Sequence, residues 1–233
     1  MGFNGVDRPA GCADFRLNWY IHPTVRTVMS SILQSPSLAY RAAMLSRASS
    51  APAVSRHVWS VESYHQLAGA GLLNETDRIE LIEGELLDMA PIGSKHSNLV
   101  DRLAEEFVLQ AKRRYRVSIQ NPVILGDRNE PQPDVMLLKP GKYMNALPTA
   151  KDVLLIVEVS DTTLDYDRDV KLGLYARHNI PEVWLLDVSR NELLVHREPV
   201  DGLYRLMRRL SANDAACPEA APEITVRLSE LAD

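Results

Sequence analysis

At 233 residues and 45% hydrophobic, the chain is long enough for one packed domain with room for a tail, because domains commonly run to about 100 to 200 residues. Its formal charge of −5 at pH 7 argues against a broad, sequence-blind coat on nucleic acid, which shows as a basic excess, and leaves room for a local basic face. No apolar stretch approaches the roughly 18 residues that span a bilayer, and Cys12 and Cys217 stand outside any metal-ligand spacing and indicate neither a disulfide framework nor a zinc site; a cytoplasmic protein away from any membrane is expected.

The first segment differs in kind from the rest. From Phe15 to Val61 there is no acidic residue, while Arg16, Arg26, Arg41, Arg47 and Arg56 are spread among serines and alanines. An organellar transit peptide has that composition. So has a flexible extension, or translation from a start codon placed too far upstream with Met29 or Met44 as the true start, and these plainer readings are preferred. The expected organisation is therefore an N-terminal extension over 1–55 and a single domain over 56–233.

Within the domain, Ser60 caps a short helix in Trp59 to Leu73, and Gly69 and Gly71 stop it. "RIELIEGELLDM" alternates around Glu83-Gly84, which predicts two strands joined by a tight turn. Leu99, Leu103, Phe107 and Ala111 then recur four apart, the stripe of an amphipathic helix capped by Ser94. Three strand-like runs follow, "VSIQNPVIL", "PDVMLL" and "DVLLIVEV", the last apolar on both faces as a central strand is. "DRDVKLGLYARHN" predicts a helix with Asp167 as N-cap and Asn179 as its stop; "PEVWLLDV" and "ELLVHRE" form a hairpin across Ser189 to Asn191, and "LYRLMRRL" adds a last strand. The class is mixed α/β (α+β), a largely antiparallel or mixed sheet with helices. The common nucleotide-binding and hydrolase signatures are missing from the chain.

Glu158 interrupts the most apolar run of the chain, and an ionised carboxylate in such a place costs several kcal/mol unless it is paired, protonated or bound to a metal. Asp134 opens the preceding strand just after Pro133. If the two strands are neighbours, two carboxylates meet at one end of the sheet, an oxygen-ligand set suited to Mg²⁺. A lysine nearby would stabilise the charge that develops at an attacked phosphorus.

Pro133-Asp134 followed by Glu158-Val159-Ser160 resembles the PD…(D/E)xK signature of restriction-endonuclease-like nucleases, with Ser160 in place of the lysine. Lys171, 13 positions after Glu158 on the next predicted helix, is placed to reach back. With "RIELIEGEL", His96, "EPQPD" and the run from Glu158 to Asp187, the chain resembles the Uma-two family of restriction endonucleases over about residues 58 to 230. The resemblance implies a restriction-endonuclease-like core with a central mixed sheet flanked by helices. It also implies metal-dependent hydrolysis of phosphodiesters, with Mg²⁺ or Mn²⁺ as the cation and nucleic acid, chiefly DNA, as the partner; a homodimer is compatible with it. Asp134 and Glu158 become metal ligands, Lys171 the water-activating or charge-stabilising group, and Glu80 the acidic residue that completes the metal shell. His96, Gln132 and Tyr175 are candidate neighbours that orient these groups.

Each of these residues also has a plainer reading. Asp134 serves equally as a turn former, Glu158 and Lys171 as a buried ion pair, Glu80 as one of several glutamates in a hairpin that can face solvent, His96 as a polar residue at a helix start, Gln132 as a strand-edge hydrogen bonder, and Tyr175 as core. The basic run Lys112 to Arg116 suits a helix C-terminus as well as it suits a nucleic-acid backbone. Two further functions stay open: a catalytically silent nuclease-fold binding or regulatory protein, and a metal-dependent hydrolase of some other phosphoester, which calls for an apolar small-molecule pocket.

Overall fold

A computed structural model describes residues 20–21, 56–74, 77–161 and 164–231. Helix α1, Val61–Gly69, starts where Ser60 Oγ accepts from the Ser63 amide at 3.1 Å. Strands β2, Ile79–Ile82, and β3, Glu85–Asp88, form the expected hairpin. Its two turn residues, Glu83 and Gly84, both have positive φ, 52° and 80°, the two-residue geometry whose twist matches a hairpin. A side chain at Gly84 would also lie 2.0 Å from Val58 Cγ1. Helix α2, Ser94–Ala111, follows, with Gly93 rather than Ser94 as its cap, because Ser94 is already helical and only Gly93 has the extended backbone of a cap.

One seven-stranded sheet forms the body, in the order β1–β9–β8–β7–β6–β5–β4. Its members are β1 Tyr20–Ile21, β4 Arg116–Ile119, β5 Val135–Leu138, β6 Val153–Ser160, β7 Glu182–Asp187, β8 Glu192–Val200 and β9 Leu203–Ser211. The strand expected over "VSIQNPVIL" is only four residues long, since Gln120 turns to φ 49° and ends it. All neighbours are antiparallel except β6 and β7. A parallel pair needs a crossover. Here it is α3, a continuous helical run made of Leu164–Tyr166, a π-helical stretch Asp167–Lys171 and Leu172–Arg177. Asp167 is thus inside the run and not its N-cap, its carboxylate being taken up by Ser160 on β6 at 2.8 Å. Asn179 ends the run at φ 57°, as the sequence predicts.

A core lies on each face of the sheet. On one, Val135, Leu137, Leu155, Val157 and Val159 pack with Leu103 and Phe107 of α2. The C-terminal residues Ile224, Val226, Leu228 and Leu231 close that layer. On the other, Met136, Leu138 and Ile156 pack with Leu174, Tyr175 and Ala176 of α3. Burial on both sides is why β5, and β6 as far as Val157, are apolar. Glu158 and Ser160 share the α3 face with Ile156 by the two-residue period of a strand, and they are the polar interruption of that face. Cys217 is buried, and Cys12 lies outside the described residues. Among the described residues no helix is long and apolar enough to cross a membrane.

Candidate active site

The β5–β6 register pairs Val135 with Val157, so one antiparallel step further sets Asp134 opposite Glu158. The two residues interlock: the Asp134 amide lies 3.4 Å from Glu158 Oε2, and the Val159 amide donates to Asp134 Oδ2 at 2.9 Å. Asp134 is further held by His96 Nε2 at 3.0 Å from Oδ2 and by Gln120 Nε2, which donates to Oδ1 at 3.3 Å. Its hydrogen bond with Asp134 raises the pKa of His96, against the opposing effect of burial.

Lys171 enters from α3 on the same face. Its ammonium donates to Glu80 Oε1 at 3.0 Å and stands 3.4 Å from Glu158 Oε1, with the lysine side chain 2% exposed. One turn along α3, Tyr175 is wholly buried and its hydroxyl donates to Glu158 Oε1 at 2.5 Å. Tyr175 therefore holds the glutamate and not the lysine. Gln132 donates through its backbone amide to Glu80 Oε1 at 2.7 Å.

The electrostatics follow from this crowding. Burial pushes the Glu158 carboxyl up to about 8, with Lys171 pulling the other way and Asp134 adding to the rise. For Lys171 burial alone would lower the pKa, but the carboxylates of Glu158, Glu80 and Asp167 outweigh it and the net direction is upward. Lys171 is a firm ammonium. Burial likewise keeps the Tyr175 hydroxyl protonated.

Asp134, Glu158, Lys171, His96, Gln132 and Asp167 line one cleft of about 140 Å³. Glu80 does not. It is completely buried behind Lys171, with Oε2 lacking a hydrogen-bond partner among the described residues. Asp167 is the residue that the sequence reading used only as a helix cap; its signal was the density of acids in "DYDRDVK", four residues before the lysine. The basic run Lys112 to Arg116 ends α2, where Arg114 pairs with Glu223 at 3.0 Å.

A cation fits this set in one particular way. Among the described residues no three His, Cys, Asp or Glu side chains are gathered so as to hold an ion by themselves. Mg²⁺ asks for less, since it binds through one or two carboxylates and takes waters and phosphate oxygens as its remaining ligands. On Asp134 and Glu158, the oxygens least engaged by protein donors are Asp134 Oδ1 and Glu158 Oε2, each with a single long contact.

The profile of the Uma2 family, described as "Putative restriction endonuclease", matches residues 61–229. The chain belongs to the Uma2 family. Its fold is also that of a solved structure, "a putative nuclease belonging to DUF820 from Anabaena variabilis ATCC 29413", with a TM-score of 0.59, 18% sequence identity, and coverage of 71% of this chain and 96% of that one. No curated protein matches the chain. In this Uma2 protein the match takes in every cleft residue named above.

Proposed function

We propose that this Uma2 protein is a divalent-metal-dependent endonuclease that hydrolyses phosphodiester bonds in DNA, using Mg²⁺ or Mn²⁺. The observation that carries the reading is the meeting of Asp134 and Glu158 across β5–β6 with the Lys171 ammonium 3.4 Å from Glu158, although Ser160 stands where a lysine is usual. When bound, the cation supplies charge neutralisation at the phosphate and acidifies a water. Asp134 and Glu158 would hold it, and His96 and Tyr175 fix the two carboxylates. Lys171, which keeps its proton, is a fixed positive charge for the phosphorane that forms as the water oxygen adds and the leaving oxygen departs in line. This favours charge stabilisation over water activation as its role.

The size of the cleft supports this reading over a small-molecule phosphoesterase. Pockets that enclose small ligands run to about 300 Å³ or more, whereas this one is about 140 Å³, and its lining sets Asp134, Glu158, Asp167 and Lys171 beside Met89, Pro91 and Ile92. The silent, binding-only reading has one specific support: the Lys171 ammonium is taken up by Glu80 and Glu158, the arrangement of a structural ion pair. The two readings part in a nuclease assay with Mg²⁺ on double-stranded DNA, single-stranded DNA and RNA. Wild type cleaves DNA and Glu158→Ala is slower by on the order of 100-fold or more. Equal residual rates for the two proteins, on every substrate, favour the silent reading.

A further inference from the structure

Ser160 has its own partner. Its hydroxyl donates to Asp167 Oδ2 at 2.8 Å, and the two residues are 1% and 5% exposed. Ser160 is also fixed from behind, because its carbonyl accepts from the Val188 amide at 3.1 Å beside the parallel β6–β7 pair. Asp167 opens the π-helical stretch of α3 and Lys171 closes it. Such a stretch gives up regular helical hydrogen bonding, and π turns persist chiefly at functional sites. It also has a directional effect. One extra residue in a turn rotates everything after it by about 100°, one residue's share of a 3.6-residue turn. The direction in which Lys171 leaves α3 therefore depends on the π turn being kept.

We infer that Ser160 and Asp167 form a latch that pins the π turn to the end of β6 and so aims Lys171 at Glu158. The serine found at the customary lysine position is then a positioning residue for the displaced lysine, and Asp167 is its partner. The latch rests on the role given to Lys171 under the proposed function. It acts through geometry, and this separates it from a role for Asp167 as a charge or a metal ligand: an amide oxygen accepts from the Ser160 hydroxyl as a carboxylate oxygen does.

Three variants of the full chain test it, Ser160→Ala, Asp167→Ala and Asp167→Asn, with two measurements. One is kcat and KM for Mg²⁺-dependent cleavage of plasmid DNA. The other is the rate at which acetic anhydride acetylates Lys171, followed by mass spectrometry, which reads the shielding of the lysine whether or not the protein is active. Ser160→Ala and Asp167→Ala lower kcat by about 10-fold to 100-fold, the scale of a small misplacement in an active site, with KM unchanged, and both speed the acetylation of Lys171. Asp167→Asn keeps the hydrogen bond with Ser160 and stays nearer to wild type than Asp167→Ala in both. The inference is overturned if Asp167→Asn is as damaging as Asp167→Ala, or if Ser160→Ala matches wild type in either measurement. A wild type that cleaves no DNA refutes the nuclease reading instead, and the acetylation rates alone then decide whether the latch exists.

Discussion

Lys171 and Glu80 show how one buried pair separates catalysis from stability. Lys171→Ala removes the positive charge from the cleft and leaves Glu80 and Glu158 without their counter-ion. Cleavage is lost, the Mg²⁺-induced rise in Tm persists, and the fold loses about 3 kcal/mol, the usual cost of breaking a buried pair from one side; thermal unfolding with and without Mg²⁺ measures both. In that background Ser160→Lys restores part of the cleavage, since residue 160 lies on the same strand face as Glu158. A Lys171→Ala protein that cleaves like wild type leaves Lys171 as a structural counter-ion. The metal is tested independently of activity. A cation at 100 times its Kd stabilises the folded state by about 2.7 kcal/mol, which at about 2 to 4 °C per kcal/mol raises Tm by roughly 5 to 10 °C. Asp134→Asn abolishes that rise. Glu80→Gln keeps it, because Glu80 stands outside the cleft; loss of the rise in Glu80→Gln returns Glu80 to the metal shell.

Turns and helix ends were legible where their chemistry is local. Glu83-Gly84, Asn179 and Asn191 all adopt positive φ, as glycine and asparagine at those points announce. The β7–β8 hairpin allows a pH test. Burial alone would raise the Asp187 carboxyl, but the Ser189 hydroxyl at 2.7 Å, the Arg190 amide at 3.0 Å and the Arg190 guanidinium outweigh it and hold it below the ordinary aspartate value. A folded-state pKa below the unfolded one means that the carboxylate stabilises above the unfolded value of about 4 and stops doing so as pH falls through the folded value. Asp187→Asn therefore costs on the order of 1 kcal/mol at pH 7, and the gap to wild type closes below about pH 4; denaturant melts at pH 7 and pH 3 measure it, and a gap of constant size contradicts the assignment. Helix starts were less legible. Serine and aspartate favour the cap position, yet whether Ser94 or Asp167 caps depends on where the chain bends beforehand and on what the side chain meets, Ser160 in the case of Asp167.

For the molecule as a whole, the boundary between extension and domain is the point to test. Among the described residues neither core draws on anything before Ile82, and the one described element of the extension is the two-residue strand β1 against Leu206 and Met207 of β9. Deleting residues 1–55 is thus expected to leave a cooperatively unfolding domain, read by a single sharp thermal transition; loss of that transition makes the extension structural. The sequence by itself determined the mixed α/β class, the order of most elements, the family, and that Asp134, Glu158 and Lys171 meet at one end of the sheet. It could do so because apolar period, turn chemistry and motif spacing are local properties of the chain, and because a carboxylate inside an apolar run asks for a partner. Only the tertiary structure decided which groups partner which. It put Glu80 behind Lys171 and not in the cleft, gave Tyr175 to Glu158, and joined Ser160 to Asp167 through a π turn. Those assignments depend on strand register and on the angle at which α3 crosses the sheet, both set by contacts between residues far apart in sequence, and no short stretch of the chain carries them.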